Sequence, residues 1–331
     1  YTVYRSTYSN GKWSGWKNMG TAKANKTAWT DKNVKSGTQY KYTVRACYNK
    51  IKSSYTSSNT KVFLSQPTVK FSNAAAGIKV SWSKVSGATG YTVYRSELVD
   101  GEWTKWSNRG TAKANKSSWV DKKVTSGVTY KYTVRAINGK VKSSYVETKG
   151  LLYLAQPTVT VKAVSNGINV AWSQCEGATG YTVYRSEYNT KTKKWSKWKN
   201  RGTAKSNKTS WTDKKVKSGV KYKYTVRACN GDKIKSSYKA SANLLYLAQP
   251  TVTVKAVSNG VNVAWTQCAG SKGYTVYRAE YNQTTKKWSN WKNMGTAKKD
   301  KKSWTDKSAN KGITYKYTVR AVNGNYKSSY K

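Results

Sequence analysis

The sequence predicts an all-β chain built from copies of one small antiparallel β-sandwich. Three observations carry this. The heptapeptide YKYTVRA stands at Tyr40–Ala46 and returns at Tyr130–Ala136, Tyr222–Ala228 and Tyr315–Ala321, at spacings of 90, 92 and 93 residues. Short runs rich in Val, Tyr and Trp, such as IKVSW, YTVYR and YKYTV, alternate apolar and polar residues between clusters of Gly, Asn, Ser and Lys. No segment carries a helical period with capping residues.

The interval is too long for a solenoid repeat, which runs roughly 20–50 residues. It suits one small domain, copied. Aligning on the heptapeptide brings the other segments into register. Each copy begins with QPTV, at Gln66, Gln156 and Gln249, and all three prolines lie there. G-[IV]-[KN]-V-[SA]-W follows, ending at Trp82, Trp172 and Trp265. Next come GYTVYRSE at Gly90 and Gly180 and GYTVYRAE at Gly273. Then come W-x-x-W, N-[MR]-G-T-A-K, W-[TV]-D-K, YKYTVRA and KSSY. A full copy has four Trp, and the 15 present fit four copies of which the first lacks its earliest. The pair Asn138-Gly139 is a hairpin signal. About seven short strands per copy argue a sandwich.

This pattern resembles the fibronectin type III domain over the whole chain. On that family's strand map Trp82 is the core Trp of strand B, Tyr91–Arg95 is strand C, Trp119 and Val124 lie on and after strand E, and Tyr130–Ala136 is strand F. The Tyr after S-G-x-x or K-G-x-x (Tyr40, Tyr130, Tyr222, Tyr315) matches the tyrosine corner, whose hydroxyl bonds back to nearby backbone. The family's usual Pro-Gly before this Tyr is replaced here by Ser-Gly or Lys-Gly. The expected domains are 1–64, a partial copy lacking its first strands, then 65–154, 155–247 and 248–331, the last strand cut short. A longer parent array is expected. Joints such as LLYLAQP (Leu151–Pro157, Leu244–Pro250) are short and apolar, which suits packed joints between copies.

Chemistry has little to work with. The chain has no His, which excludes a Ser-His-Asp triad and His metal sites, and no metal or cofactor is expected. Four of the 13 acids occupy one repeat position (Asp31, Asp121, Asp213, Asp306), where a turn or local hydrogen-bond role is expected. The other nine scatter without a recurring pair, so the chain reads as non-catalytic.

The resemblance places Cys175 in the B–C connection and Cys229 at the entry to the F–G hairpin, at one end of a sandwich. Their counterparts are Val85 and Ile137 in the second copy and Cys268 and Val322 in the fourth. Two readings stay open: a Cys175–Cys229 disulfide in an oxidising compartment, or two buried thiols. Cys268 is expected as a buried thiol.

The remaining signal is charge. There are 62 basic residues against 13 acids, a formal net +49. Copy 65–154 has 15 basic and 5 acidic residues, net +10, and copy 155–247 has 19 and 4, net +15. Solubility needs only roughly 2–8 per small domain, so polyanion binding is expected beyond it. The alternative is that lysine solubilises a repetitive β-protein and guards its edges.

In the strand F heptapeptide, Tyr130, Tyr132 and Val134 are expected inward and Lys131, Thr133 and Arg135 outward. Strand C lies beside strand F in the resembled fold, so Tyr94 should neighbour Lys131 or Arg135. The sets recur as Tyr4/Lys41/Arg45, Tyr184/Lys223/Arg227 and Tyr277/Lys316/Arg320. They form either a repeated ligand-contacting face or cross-strand cation–π packing. Trp13, Trp103, Trp195 and Trp288 are candidate exposed stacking platforms, or hairpin Trp side chains covered by a Lys stem.

The resemblance implies a stalk, spacer or adhesive array of an extracellular, bacterial cell-surface protein. Its expected partners are anionic polymers (teichoic acid, acidic glycan or nucleic acid) and neighbouring repeats. Two alternatives are a carbohydrate-binding or spacer module of a large polysaccharide-degrading enzyme, and a filament or phage-exposed structural protein that self-associates.

Overall fold

Alternating Val, Tyr and Trp leave one face of each strand apolar, and the copies fold so that these faces meet. In the computed structural model, which describes Tyr1–Tyr330, the secondary structure is β-strand and turn. The second copy shows the plan. Its strands are β1 (Val69–Ala74), β2 (Gly77–Trp82), β3 (Gly90–Val99), β4 (Ser107–Lys113), β5 (Ser118–Asp121), β6 (Thr129–Asn138) and β7 (Val141–Lys142). One sheet runs β1-β2-β5. The other centres on β3 and β6, with β4 on β3, and with β7 and Leu151–Leu152 on β6. All pairings are antiparallel. This is the fibronectin type III-like sandwich, and the chain is a tandem array of such domains.

Trp82 from β2 packs on Tyr91 from β3, ring centroids 5.4 Å apart, between the sheets. The tyrosine corner forms in all four copies: the Tyr130 hydroxyl accepts from Thr125 N at 2.9 Å, with equivalents at Tyr40, Tyr222 and Tyr315. Gly77 starts β2 with φ +141, and a Cβ there would lie 1.8 Å from the Asp121 carbonyl oxygen, so only glycine lets β2 and β5 close. The turn after β6 is Gly139-Lys140, one residue later than the Asn-Gly signal suggests, because Asn138 still pairs with Val141. The Asn138 side chain instead donates to the Gly87 carbonyl at 2.7 Å.

The chain divides into two units, Tyr1–Tyr153 and Leu154 onward. In the first unit, the first copy has a five-stranded sheet, centred on Thr2–Ser9 and Gln39–Arg45, and a two-stranded hairpin of Cys47–Tyr48 and Ile51–Lys52, and among the described residues no facing sheet. Its joint to the second copy is a close backbone approach. A Cβ on Gly87 would sit 2.2 Å from Gly37 Cα, and Ser36 Oγ donates to the Ser86 carbonyl at 2.8 Å. Inside the second unit the same joint recurs between the third and fourth copies. There Gly270 meets Gly219, and Ser218 Oγ donates to the Ala269 carbonyl at 2.7 Å. The LLYL segments are not free linkers: Leu151–Leu152 and Leu244–Leu245 pair with the YKYTVRA strand of the copy they follow.

Candidate functional site: the two faces of the YKYTVRA strand

Register decides which side chains meet. Along β3 and β6, Thr92 lies opposite Arg135, Tyr94 opposite Thr133 and Ser96 opposite Lys131. Tyr94 is therefore diagonal to both Lys131 and Arg135. The long side chains resolve this by leaning apart, and the outer face splits into two ends.

At one end the lysine lies on the hairpin tryptophan. Lys131 Nζ is 4.0 Å from the Trp103 ring centroid, and the other copies repeat this with Lys41 on Trp13 (4.4 Å), Lys223 on Trp195 (4.1 Å) and Lys316 on Trp288 (4.5 Å). Trp103 and Trp288 are still exposed, and Trp13 and Trp195 are half-buried. A second aromatic ring flanks three of the four, as Tyr188 does Trp195 at 5.2 Å.

At the other end the arginine lies in an aromatic cluster. Arg135 Nε donates to the Ser143 carbonyl at 2.6 Å, and its guanidinium lies 5.7 Å from the centroid of Tyr145, the tyrosine of KSSY. Tyr145 meets Trp106 edge-on at 6.1 Å. Tyr94, Trp106, Thr133, Arg135 and Tyr145 line a cavity of about 120 Å³. Tyr184, Trp198, Thr225, Arg227 and Tyr238 line its counterpart of about 180 Å³ in the third copy. In the fourth copy Tyr330 stacks on Tyr277, centroids 6.3 Å apart at 15°, while Arg320 sits 4.9 Å from the Tyr330 ring centroid. In the first copy Lys52 Nζ donates to the Tyr4 hydroxyl at 3.0 Å, and Arg45 lies 5.7 Å from Tyr55.

Thr133 departs from the expected outward exposure. It is only 2% exposed, because Tyr94 and the KSSY tyrosine enclose it. Its Oγ1 is buried without a hydrogen-bond partner, as is that of Thr43, whereas Thr225 Oγ1 donates to the Lys239 carbonyl at 2.9 Å. Alternation alone does not reveal this burial. The recurrence of KSSY one hairpin after the arginine is the sequence signal that could have done so.

The inner face carries a different cluster. Arg95 from β3 turns inward with Tyr91 and Val93, and its Nη1 donates to Asp121 at 2.8 Å. Asp121 also accepts from the Tyr132 hydroxyl at 3.0 Å and from Lys123 N at 3.0 Å, and Glu97 pairs with Arg95 Nη2. The set repeats as Arg185/Asp213/Tyr224/Glu187 and Arg278/Asp306/Tyr317/Glu280, and in the first copy as Arg5/Asp31/Tyr42. One expectation is met and extended here, and another is corrected. The repeated aspartate does hold a local turn, but it is also the buried anion of an ion pair. The other acids do not all scatter, since Glu97, Glu187 and Glu280 recur two residues after the strand arginine. Burial pushes the Tyr132, Tyr224 and Tyr317 hydroxyls above the usual tyrosine range, and the neighbouring aspartate adds to this. In the second, third and fourth copies one arginine bridges two carboxylates, the buried aspartate and the more exposed glutamate, while in the first copy Arg5 pairs with Asp31 alone. Among the described residues no group of His, Cys, Asp and Glu is arranged to hold a metal ion.

Of the two cysteine readings the structure has the thiols, with Cys175 buried and Cys229 only half-buried. Cys175 Sγ faces the Ala155 carbonyl at 3.2 Å, and Cys229 Sγ faces the Thr182 hydroxyl at 3.4 Å. The reason is strand parity: Tyr222, Tyr224, Val226 and Ala228 point inward, so Cys229 points to the outer face, away from buried Cys175. Cys268 is a buried thiol whose titration burial pushes up.

No family model matches the chain. Among curated proteins it is 31% identical over 80 residues to an amylopullulanase of Thermoanaerobacterium saccharolyticum, covering 24% of this chain and 6% of that protein. It is 26% identical over 282 residues to exoglucanase B of Cellulomonas fimi, covering 73% of this chain and 22% of that protein. The chain thus spans well under two thirds of the curated relatives it matches. Among solved structures it is similar to the FN1–FN3 domains of chicken CNTN1, at 15% identity and TM-score 0.25, covering 81% of this chain and 97% of that one. It is also similar to a two-domain fibronectin type III segment of chicken tenascin, at 16% identity and TM-score 0.30, covering 54% and 99%.

Proposed function

We propose that the chain is a non-catalytic spacer and adhesive array of an extracellular protein, and that it holds anionic polymers against a lysine-coated surface. The observation that supports this is the uncompensated charge. The chain sets 62 basic residues against 13 acids, and the buried acids go to the strand arginines rather than to the lysines. Such a field attracts polyanions by counterion release, and lysine suits a salt-sensitive association of low specificity. Binding of the full chain to a teichoic acid, a heparin-like glycan and DNA should fall steeply as salt rises. Absence of binding to all three at about 50 mM salt would overturn the reading.

A second reading is a spacer or carbohydrate-binding region within a larger polysaccharide-degrading enzyme. The likeness to exoglucanase B over most of this chain favours it. Neutral glucan oligosaccharides would then change Trp fluorescence in a way that salt does not remove, whereas a purely electrostatic array would ignore them.

A further inference from the structure

We propose that the Tyr94–Trp106–Thr133–Arg135–Tyr145 cavity, with its counterpart in the third copy, is a subsite for one carboxylated sugar ring of an acidic polysaccharide. This deepens the polyanion reading and rests on it. The cavity sits on β6, which supplies Thr133 and Arg135, and draws its walls from three further segments. Tyr94 comes from β3, Trp106 from the start of the following hairpin arm, and Tyr145 from the segment after β7. Arg135 supplies the charge. Its Nε is committed to the Ser143 carbonyl and its plane leans on Tyr145, which fixes the guanidinium, and among the described residues Nη1 and Nη2 donate no hydrogen bond to the chain. A fixed guanidinium edge suits a carboxylate, which it can grip through two parallel hydrogen bonds.

Thr133 supplies the second observation. A buried hydroxyl left without a partner is destabilising. Thr133 Oγ1 is such a group, covered over in the empty cavity that Thr133 lines, so a ligand hydroxyl reaches it only as the flanking rings part. A ligand hydroxyl reaching the floor would satisfy it. In the third copy Thr225 Oγ1 already donates to the Lys239 carbonyl, so there it can only accept from a ligand.

Shape separates a sugar from a nucleic-acid base. Trp106 and Tyr145 meet at 69°, and Trp198 and Tyr238 at 75°. Rings set edge to face leave no parallel slot for a flat base to stack in. A pyranose chair can lay its C–H face on one ring and turn hydroxyls toward the threonine. About 120–180 Å³ admits one ring rather than a length of polymer. The lysines around it would gather the chain, and the cavity would choose the residue.

The test uses the full chain with oligogalacturonate, polyphosphate and single-stranded DNA at one ionic strength. The paired substitutions Arg135→Lys and Arg227→Lys keep the charge and remove the two-pronged grip. They should weaken oligogalacturonate binding about tenfold, the loss expected for a charged hydrogen bond, and leave polyphosphate within about twofold. Thr133→Val, which keeps the shape, should weaken oligogalacturonate a few-fold and leave polyphosphate unchanged. Equal losses for oligogalacturonate and single-stranded DNA would assign the cavity to nucleic acid and overturn the proposal. Polyanion binding that none of these substitutions changes would overturn the cavity and leave the lysine field standing. Binding of oligogalacturonate without polyphosphate or DNA would sink the general field and keep the cavity.

Discussion

The first and second copies write the same heptapeptide on the same strand of the same sheet, but only the second has a facing sheet. Val134 is 0% exposed and Val44 is 51% exposed. Tyr132 is fully buried, while Tyr42 lines an open hollow of about 430 Å³ shared with Trp29 and Phe63. Yet the polar cluster survives in both. Arg5 and Tyr42 still reach Asp31 at 2.8 Å, as Arg95 and Tyr132 reach Asp121 at 2.8 and 3.0 Å. The arginine and tyrosine come from neighbouring strands of one sheet, and the aspartate segment, which in the second copy is the end of β5 in the facing sheet, holds its place in the first copy without that sheet. The second sheet supplies desolvation. Outer-face packing does not depend on it, since Lys41 on Trp13 resembles Lys131 on Trp103.

The strongest way to break this comparison is to remove the aspartate in each copy. Asp121→Ala leaves Arg95 buried with only the half-exposed Glu97 as an anion and should cost about 3–5 kcal/mol, as loss of one member of a buried pair does. Asp31→Ala leaves Arg5 facing an open hollow that water can enter, and should cost about 1–2 kcal/mol. Hydrogen exchange of the heptapeptide amides, resolved by copy in the full chain, measures both. Equal losses would mean that the second sheet contributes no desolvation to the ion pair.

The next largest effect is with pH. The Tyr132 hydroxyl is raised above its ordinary 10.0 by burial first and by Asp121 second. A group raised on folding contributes stability that is whole below the unfolded value and is lost as pH climbs from there toward the folded one. The second copy should therefore lose stability above about pH 10, with the Tyr132 class ionising only as the sandwich opens. Tyr132→Phe should flatten that loss in a phenolate absorbance titration. Tyr42 is shifted the same way in a more open setting, so Tyr42→Phe should flatten it less. Asp31 runs oppositely. Burial pushes its carboxyl up, but the Asn33 amide, Arg5 and Tyr42 outweigh this and hold it below 3.8, so its contribution is present above that pH and lost as acid is added.

Much of this was legible in the sequence. The period, the strand alternation and the tyrosine corner specify the sandwich, because each is local or repeats identically. The inner cluster was half legible. The parity that sends Tyr91 and Val93 inward also sends Arg95 inward, and a buried arginine requires an anion. That the anion would be the repeated aspartate needed the packing of β5 across the sandwich from β3. The split of the outer face was not legible, because a diagonal register leaves each long side chain two neighbours to choose from. Thr133 and Tyr145 were missed for a related reason. A segment after a hairpin can fold back over a strand face without leaving any period in the sequence.

The smallest effect sharpens the comparison from the outer side. Lys131→Ala removes a cation 4.0 Å from the Trp103 ring centroid and should cost about 0.5–1 kcal/mol, the usual worth of an exposed cation–π pair. Lys41→Ala should cost the same within error, because Trp13 and Lys41 meet on a face that the second sheet never covers. Lys131 also lies 3.9 Å from Glu147, but that carboxylate is mostly exposed and adds little. Heat stability and the emission of each hairpin Trp would report the loss. A cost several times larger in the second copy would mean that the facing sheet stiffens the outer surface as well as the core. Equal costs, beside unequal aspartate costs, would place the whole difference between the copies on the inner face.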